Sequence, residues 1–303
     1  MMAGTAGLAL FNNFDIINSV NDKHLIQLTL LHTNDMHSHI EPFDENDNKY
    51  PGQGGMIKIA QLVKEIRENE REILLLDAGD IFQGTPYFNL FKGEVEFKLM
   101  SKMKYDASTM GNHDFDIGLD GFNKALAHAE FPFICSNYDF SNTVLNNKTL
   151  PYKIIEKKGI KIGIIGIGIQ LEGLVGKKMY GETIYLDPIK IANKYAAELK
   201  NEKNCELVIC LSHLGYQYKS NKVSDIKLAK NTSNIDVILG GHTHTFLEKA
   251  SIFQNANGEP VIINQAGWAA LSLGRIDLIF NNKKSQKFDL QASINHSKNY
   301  AKI

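Results

Sequence analysis

Five apolar, strand-like segments of this sequence are each followed directly by side chains that commonly ligate metal ions. Carboxylate, imidazole and amide donors in one set suit divalent ions such as Mn²⁺ and Zn²⁺. Cysteine is absent from all five clusters, which disfavours a structural zinc site. The clusters are His32-Thr33-Asn34-Asp35-Met36-His37, Asp77-Ala78-Gly79-Asp80, Gly111-Asn112-His113-Asp114, Ser212-His213 and Gly240-Gly241-His242-Thr243-His244.

The spacing within the clusters suggests how they could bind ions. In Asp35-x-His37 and His242-x-His244, an extended backbone would point both side chains the same way. Each pair could then clamp one ion or reach two neighbouring ions. Glycines precede several of the polar residues and permit sharp turns or close approach of the backbone. In open α/β sheets, ligand sites form beyond the carboxyl ends of strands, where all five clusters lie.

The elements that must position these clusters alternate along the chain. Helical periodicity predicts helices over 55–67, 94–103, 121–129, 189–200 and 223–230. Apolar runs predict strands over 25–31, 73–76, 107–110, 133–136, 160–169, 207–211, 237–239, 260–264, 272–280 and 288–294. Strands interleaved with helices predict an α/β layered domain. The late strands without helices predict mixed rather than purely parallel pairing.

Bulk composition sets broad limits on the class of protein. Of 303 residues, 43% are hydrophobic, which is enough for a core, and the net charge of −1 gives no indication of a nucleic-acid polymer or an anionic membrane as partner. No apolar segment is long enough to cross a bilayer. Cys135, Cys205 and Cys210 are odd in number and lie in or beside apolar runs, so we expect buried free thiols.

The ordered clusters resemble the five signature blocks of calcineurin-like metallophosphoesterases. The segments LLHTNDMH, GNHDFDIG, LSHLG and GGHTH are similar to the branch that contains 5′-nucleotidases and UDP-sugar hydrolases. The resemblance extends roughly from residue 25 to residue 294. It implies two packed, mixed β-sheets flanked by helices, in a single catalytic domain over residues 25–303.

The resemblance also implies a role for each matching residue. His113 would be the catalytic histidine that contacts the phosphoryl oxygens, and Asp116 would orient it. Two divalent ions lower the pKa of a bound water and clamp phosphoryl oxygens for in-line attack. Mn²⁺ or Zn²⁺ fit best, and Fe, Co, Ca and Mg stay open. The implied ligands are Asp35, His37 and His244 for the first ion, Asn112, His213 and His242 for the second, and Asp80 for both.

The expected function is hydrolysis of phosphate esters, of the 5′-nucleotidase type, with a nucleotide as substrate. A 2′,3′-cyclic-nucleotide phosphodiesterase stays open because the same metal core supports it. Enzymes of the resembling branch commonly add a C-terminal domain that stacks the nucleobase, whereas this chain stops soon after its last strand. We therefore expect a catalytic part that acts alone on small esters, works with a separately encoded C-terminal domain, or is a fragment.

The first residues and several polar residues near the clusters leave alternatives open. Residues 1–24 begin with MMAGTAGLALF, which resembles the apolar part of an export signal but lacks a basic start. A signal-like leader of an exported, periplasmic protein and a short disordered leader are both retained, and a cytoplasmic location is not excluded. His32 and His39 are expected to support ligands or packing, and Asp77 and Asp114 to support ligands or cap loops.

Overall fold

The computed structural model describes residues 25–70, 72–281 and 289–293. In chain order its strands are β1 (Leu25–Thr33), β2 (Ile73–Asp77), β3 (Ala107–Ser108), β4 (Tyr138–Asp139), β5 (Tyr152–Lys157), β6 (Ile160–Ile167), β7 (Ile184–Tyr185), β8 (Leu207–Ser212), β9 (Val237–Gly240), β10 (Ser251–Gln254), β11 (Pro260–Gln265), β12 (Gly274–Asn281) and β13 (Asp289–Ser293). The helices are α1 (Met56–Asn69), α2 (Pro86–Phe91), α3 (Glu94–Lys102), α4 (Gly118–Leu126), α5 (Lys177–Tyr180), α6 (Pro188–Ala197) and α7 (Asp225–Asn231).

Two mixed sheets form the centre of the described structure. The first has the order β13-β12-β1-β2-β3, with β1, β2 and β3 parallel and β12 and β13 antiparallel to their neighbours. The second has the order β10-β11-β9-β8-β6-β5, in which the four inner strands are parallel and both edge strands antiparallel. The predicted α/β class with mixed sheets is therefore confirmed.

The sheets pack face to face through fully buried aliphatic side chains. Leu28 and Leu30 of β1 share one apolar cluster with Ile162 of β6, Ile209 of β8 and Leu239 of β9. Alternate residues of a strand point to opposite faces. Residues such as Leu31 and Leu75 therefore belong to a second cluster on the outer face, and helices cover the outer face of each sheet. This layering brings the carboxyl ends of strands from two different sheets to one edge.

The helices begin where the sequence supplies suitable first residues. In α1, apolar residues at helical spacing are buried against the first sheet. Asp187 caps α6 by accepting a hydrogen bond from the Lys190 backbone N–H, and Pro188 occupies the first helical position. Ser224 caps α7 in the same way through the Lys227 N–H. These caps fix the helices that cover the second sheet.

Most predicted elements are present, and the exceptions have physical reasons. The strand predicted over 133–136 is wrong, because this segment forms only isolated bridges from Phe133 to Ser108 and from Ile134 to Leu150. The edge strands β5 and β10 were not predicted. Their half-exposed residues mix polar and apolar types, so neither segment forms the apolar run that predicts a buried strand. The three cysteines are free and buried, as expected. The predicted leader, residues 1–24, lies outside the described residues.

Candidate metal centre

Five strand ends from two sheets meet at the candidate site. The loops after β1, β2 and β3 come from the first sheet, and those after β8 and β9 come from the second. The Asp80 carboxylate Oδ2 lies 3.1 Å from His213 Nε2, across the boundary between the sheets. Asp35 Oδ1 lies 3.3 Å from His244 Nε2 across the same boundary. The sheet packing thus brings the predicted residues together.

One group of donors consists of Asp35, His37 and His244, whose ligand atoms all lie within 4.8 Å of one another. The Nε2 atoms of His37 and His244 are 3.0 Å apart. His37 Nδ1 lies 3.1 Å from the carbonyl oxygen of Phe82, which accepts the ring N–H. This hydrogen bond leaves the lone pair of Nε2 directed at the group, as a metal-binding histidine requires.

The second group consists of Asp80, His213 and His242, again with ligand atoms within 4.8 Å. His213 Nδ1 donates to the carbonyl oxygen of Ala78 at 2.7 Å. Its Nε2 is buried and makes no hydrogen bond, even though it lies close to the Asp80 carboxylate. Asn112 joins this group, because its Oδ1 lies 2.7 Å from His242 Nδ1.

Asp80 lies between the two groups. Its Oδ2 is 3.1 Å from His213 Nε2 and 3.9 Å from His37 Nε2. The carboxylate is buried, and among the described residues its ion-pair partners are histidines, without lysine or arginine. A buried carboxylate needs compensating positive charge. Burial alone would lower the pKa of His213. The neighbouring Asp80 carboxylate outweighs this effect and raises the pKa of His213 to about 10.

The donor geometry fits divalent ions. Metal–nitrogen and metal–oxygen bonds of about 2.1 Å place adjacent ligands of one ion about 3 Å apart. The facing donor atoms of His37 and His244, of Asp35 and His244, and of Asp80 and His213 are 3.0, 3.3 and 3.1 Å apart. The buried Nε2 of His213, which makes no hydrogen bond, and the buried carboxylates of Asp35 and Asp80 are groups that a bound cation would satisfy.

The backbone of four predicted ligand residues differs from the expected extended conformation. Asp35, His37, His242 and His244 have φ values of 50°, 48°, 75° and 51°, so the expected extended pairs are wrong. Left-handed residues other than glycine cost energy and persist where neighbours hold them. Asp35 N–H donates to Gly79 O at 2.8 Å, and His242 N–H donates to the Asp35 carboxylate at 2.9 Å. Hydrogen bonds between loops, rather than strand geometry, therefore aim these side chains.

Two buried carboxylates cap the loops that carry the ligands. Asp114 accepts the backbone N–H groups of Asp80, Ile81, Phe82 and Gly111 at 2.8 to 3.2 Å. Asp77 accepts the N–H of Gly79 at 2.9 Å and the hydroxyls of Thr33 and Ser108 at 2.7 and 2.9 Å. Neither carboxylate belongs to the two donor groups. Asp77 and Asp114 therefore cap loops, and Asp114 also holds the backbone of the predicted ligand Asp80.

Gly111 shows why the chain needs glycine beside the two donor groups. A Cβ at this position would lie 2.2 Å from Asp80 Oδ1 and 2.7 Å from His213 Cε1. Its φ is not positive, so the requirement is close approach and not an unusual turn. Gly79, in contrast, has a φ of 89°.

His113 and Asp116 form a pair beside the donor groups. His113 Nδ1 lies 2.7 Å from Asp116 Oδ2, and the His113 side chain is 37% exposed. The hydrogen bond to Asp116 raises the pKa of His113 above its ordinary value. The His113 backbone N–H donates to Asp80 Oδ1 at 2.7 Å, which fixes the ring next to the donor groups. The pair can therefore present an N–H to a ligand at the site.

The flanking histidines do not join the donor groups. His32 is fully buried, and neither ring nitrogen makes a hydrogen bond. Burial lowers its pKa to about 3, so the ring is neutral. His39 stacks on Phe43 with ring centroids 4.7 Å apart. His32 therefore serves packing, which is one of the expected alternatives, and His39 packs in an aromatic cluster at the surface.

Sequence reasoning missed two residues at this edge. Asn34 donates to the Asp35 carboxylate and to Gly267 O, both at 2.7 Å. The position of Asn34 directly before Asp35 could have indicated this supporting role from the sequence. The ring of Trp268 lies parallel to that of His244, with an interplanar angle of 4° and centroids 5.5 Å apart. Trp268 follows β11, which is parallel to β9 and so ends at the same edge.

Comparisons with known proteins agree with this geometry. Residues 28–246 match the calcineurin-like phosphoesterase family, and the chain belongs to that family. It is 34% identical over 278 residues to the snake venom 5′-nucleotidase of Crotalus adamanteus, a match that covers 85% of this chain and 46% of the relative. The chain spans about half the length of the snake venom relatives that it matches.

Two solved structures are similar in fold. The 5′-nucleotidase precursor from Thermus thermophilus has a TM-score of 0.76 and 29% identity, over 90% of this chain and 55% of that chain. The calcineurin-like phosphoesterase YfkN from Bacillus subtilis has a TM-score of 0.71 and 28% identity, over 90% of this chain and 91% of that chain. The fold of two mixed sheets flanked by helices is thus the family fold.

Proposed function

We propose that this chain is a two-metal-dependent phosphoric ester hydrolase of the 5′-nucleotidase type, which releases phosphate from nucleotides. The observation that carries the proposal is the pair of convergent donor groups on either side of Asp80, with His113 and Asp116 beside them. Similarity to 5′-nucleotidases over 85% of the chain supports the substrate class.

We assign the ligands by their positions. Asp35, His37 and His244 would hold the first ion, Asn112, His213 and His242 would hold the second, and Asp80 would contribute to both. When bound, two divalent ions supply a water of low pKa and positive charge opposite the phosphoryl oxygens. The mixed carboxylate, imidazole and amide donors favour Mn²⁺ or Zn²⁺.

The residues of the chain supply the remaining chemistry. His113 directs a ring N–H at a phosphoryl oxygen, since its other nitrogen is held by Asp116. Negative charge accumulates on those oxygens in the transition state, so a donor placed there accelerates the reaction. Asp116 keeps the imidazole in one orientation and tautomer. The half-exposed position of His113 leaves room for the substrate.

Export of the protein and action together with a C-terminal domain are further parts of the proposal. The similarity to snake venom enzymes supports export. The partial coverage of those relatives supports a second domain, because the match spans 46% of the first of them. Among the described residues, no helix is both long and apolar enough to cross a membrane.

The test is a substrate panel with the folded protein. We expect release of phosphate from 5′-AMP and p-nitrophenyl phosphate with Mn²⁺ or Zn²⁺, and loss of activity in EDTA. 2′,3′-Cyclic AMP is included to separate monoesterase from diesterase activity. Absence of turnover with every ion, in protein that retains its fold, would contradict the proposal. Metal analysis of the purified protein identifies the native ions.

A further inference from the structure

Four aromatic side chains form a half-buried surface next to the first donor group. This aromatic rim consists of His39, Phe43, Tyr50 and Trp268. The ring of Trp268 contacts the other three with centroid distances of 5.6, 5.9 and 6.4 Å, each at a steep angle. The same indole lies parallel to the ring of His244. The rim is therefore continuous with the candidate metal centre.

The turn that contains Trp268 is hydrogen-bonded to two loops of the candidate metal centre. Gly267 N–H donates to Thr245 O at 3.0 Å, and Ala269 N–H donates to Asp35 O at 2.8 Å. Ala269 has a φ of 53°, in the left-handed region that favours glycine. Backbone strain of this kind persists where surrounding contacts over-determine the conformation. The indole is thus held at a fixed position relative to the ligands.

Two polar atoms of the rim are available to a ligand. Within the described part of the chain, neither the indole N–H of Trp268 nor the hydroxyl of Tyr50 makes a hydrogen bond, and neither atom is sealed from solvent. Tyrosine and tryptophan side chains whose O–H or N–H group is free are common at binding surfaces. The rim offers half-exposed aromatic rings and two polar donors, which suit a planar heterocycle with polar edges.

We propose that the aromatic rim, with Trp268 at its centre, stacks the nucleobase of the substrate's leaving group. This inference rests on the proposed function, because it takes the phosphoryl group to lie at the two donor groups. The leaving group must then extend away from the ions, and the rim borders His244 of the first group. Stacking on an aromatic ring accepts every base. The substrate class is therefore nucleotides in general, and the catalytic domain itself contributes to their selection.

Direct binding is testable because Trp268 is the sole tryptophan of the chain. Its fluorescence in the Mn²⁺-loaded protein is titrated with adenosine and, separately, with ribose. We expect a saturable change with adenosine and none with ribose. An unchanged emission with adenosine up to its solubility limit would overturn the inference. This readout needs no turnover, so it stays informative even if the proposed activity fails.

Kinetics provide the second test. With Trp268→Ala we expect a roughly five- to hundredfold rise in KM for 5′-AMP with kcat retained, which is the fold-change that loss of one base stacking on an aromatic ring produces. KM for glycerol 2-phosphate, which has no ring, should stay unchanged. Trp268→Phe should restore most of the affinity for 5′-AMP.

Phe91 provides the matched control, because this aromatic residue lies outside the rim and lines a different cavity of about 510 Å³, together with Asp116. Phe91 is 46% exposed, and Phe91→Ala should leave both KM values unchanged. Equal loss for 5′-AMP and glycerol 2-phosphate in Trp268→Ala would overturn the inference, as would a selective loss in Phe91→Ala instead. Absence of hydrolysis of both esters by the wild type would contradict the proposed function, and the fluorescence titration would then decide the inference alone.

Discussion

The carboxylate of Asp114 accepts the backbone N–H of Asp80 at 3.0 Å, so a buried acid of one loop holds the backbone of the residue that lies between the two donor groups. Three further N–H groups, from Ile81, Phe82 and Gly111, donate to the same carboxylate. Asp114 therefore joins the loops after β2 and β3 without contributing to either donor group. The arrangement of the two donor groups therefore depends on this connection as well as on the donor residues themselves.

Replacement of Asp114 by alanine should destabilise the protein even without metal. The four backbone N–H groups would lose their acceptor in a buried environment, which costs about 3 kcal/mol or more of unfolding free energy. Chemical denaturation in EDTA measures this cost. Asp120→Ala, at an exposed position in the first turn of α4, is the control and should change little. Equal stability of the two variants would contradict the capping role.

Asp80→Ala should abolish metal binding and activity together, because Asp80 lies between both donor groups. Metal content after dialysis and phosphate release from 5′-AMP are the two measurements. Asp47→Ala, in an exposed loop with its own local hydrogen bonds, is the control and should keep both properties. A variant that retained two ions would show that Asp80 is not the shared ligand.

His113→Ala should slow the reaction without removing the ions. A positioned donor of this kind contributes roughly 10²- to 10⁴-fold to the rate, so we expect kcat to fall by that factor with metal content unchanged. Asp116→Asn should produce a smaller loss, since it alters only the group that holds the His113 ring. Loss of metal from His113→Ala would show that the assigned role is wrong.

Gly274 and His32 should show strong coupling in a double-mutant cycle. A Cβ at Gly274 would lie 2.0 Å from His32 Nε2, and the His32 ring is fully buried. Gly274→Ala should therefore cost about 1–3 kcal/mol of unfolding free energy through overpacking. In the His32→Ala background the same change should cost much less, because the ring is absent. Additive effects in thermal or chemical unfolding would exclude this contact as the cause.

The sequence by itself determined the local parts of the site. Each predicted ligand directly follows an apolar strand, and both the strand and the polar residue are visible in a single short segment. β1, β2, β8 and β9 could therefore be predicted with the side chains that follow them. Half-exposed edge strands such as β5 lack this apolar signal, and the segment 133–136 is apolar although it forms only isolated bridges.

Only the tertiary structure decided which side chains meet. Three of the five strand ends belong to one sheet and two to the other, so the approach of Asp80 to His213 depends on how the sheets stack. The left-handed backbone of Asp35 and His37 depends on hydrogen bonds to a loop more than forty residues away. The parallel packing of Trp268 on His244 likewise requires β11 to lie beside β9. Such contacts between distant segments arise from burial of apolar faces over the whole chain, and no short segment encodes them.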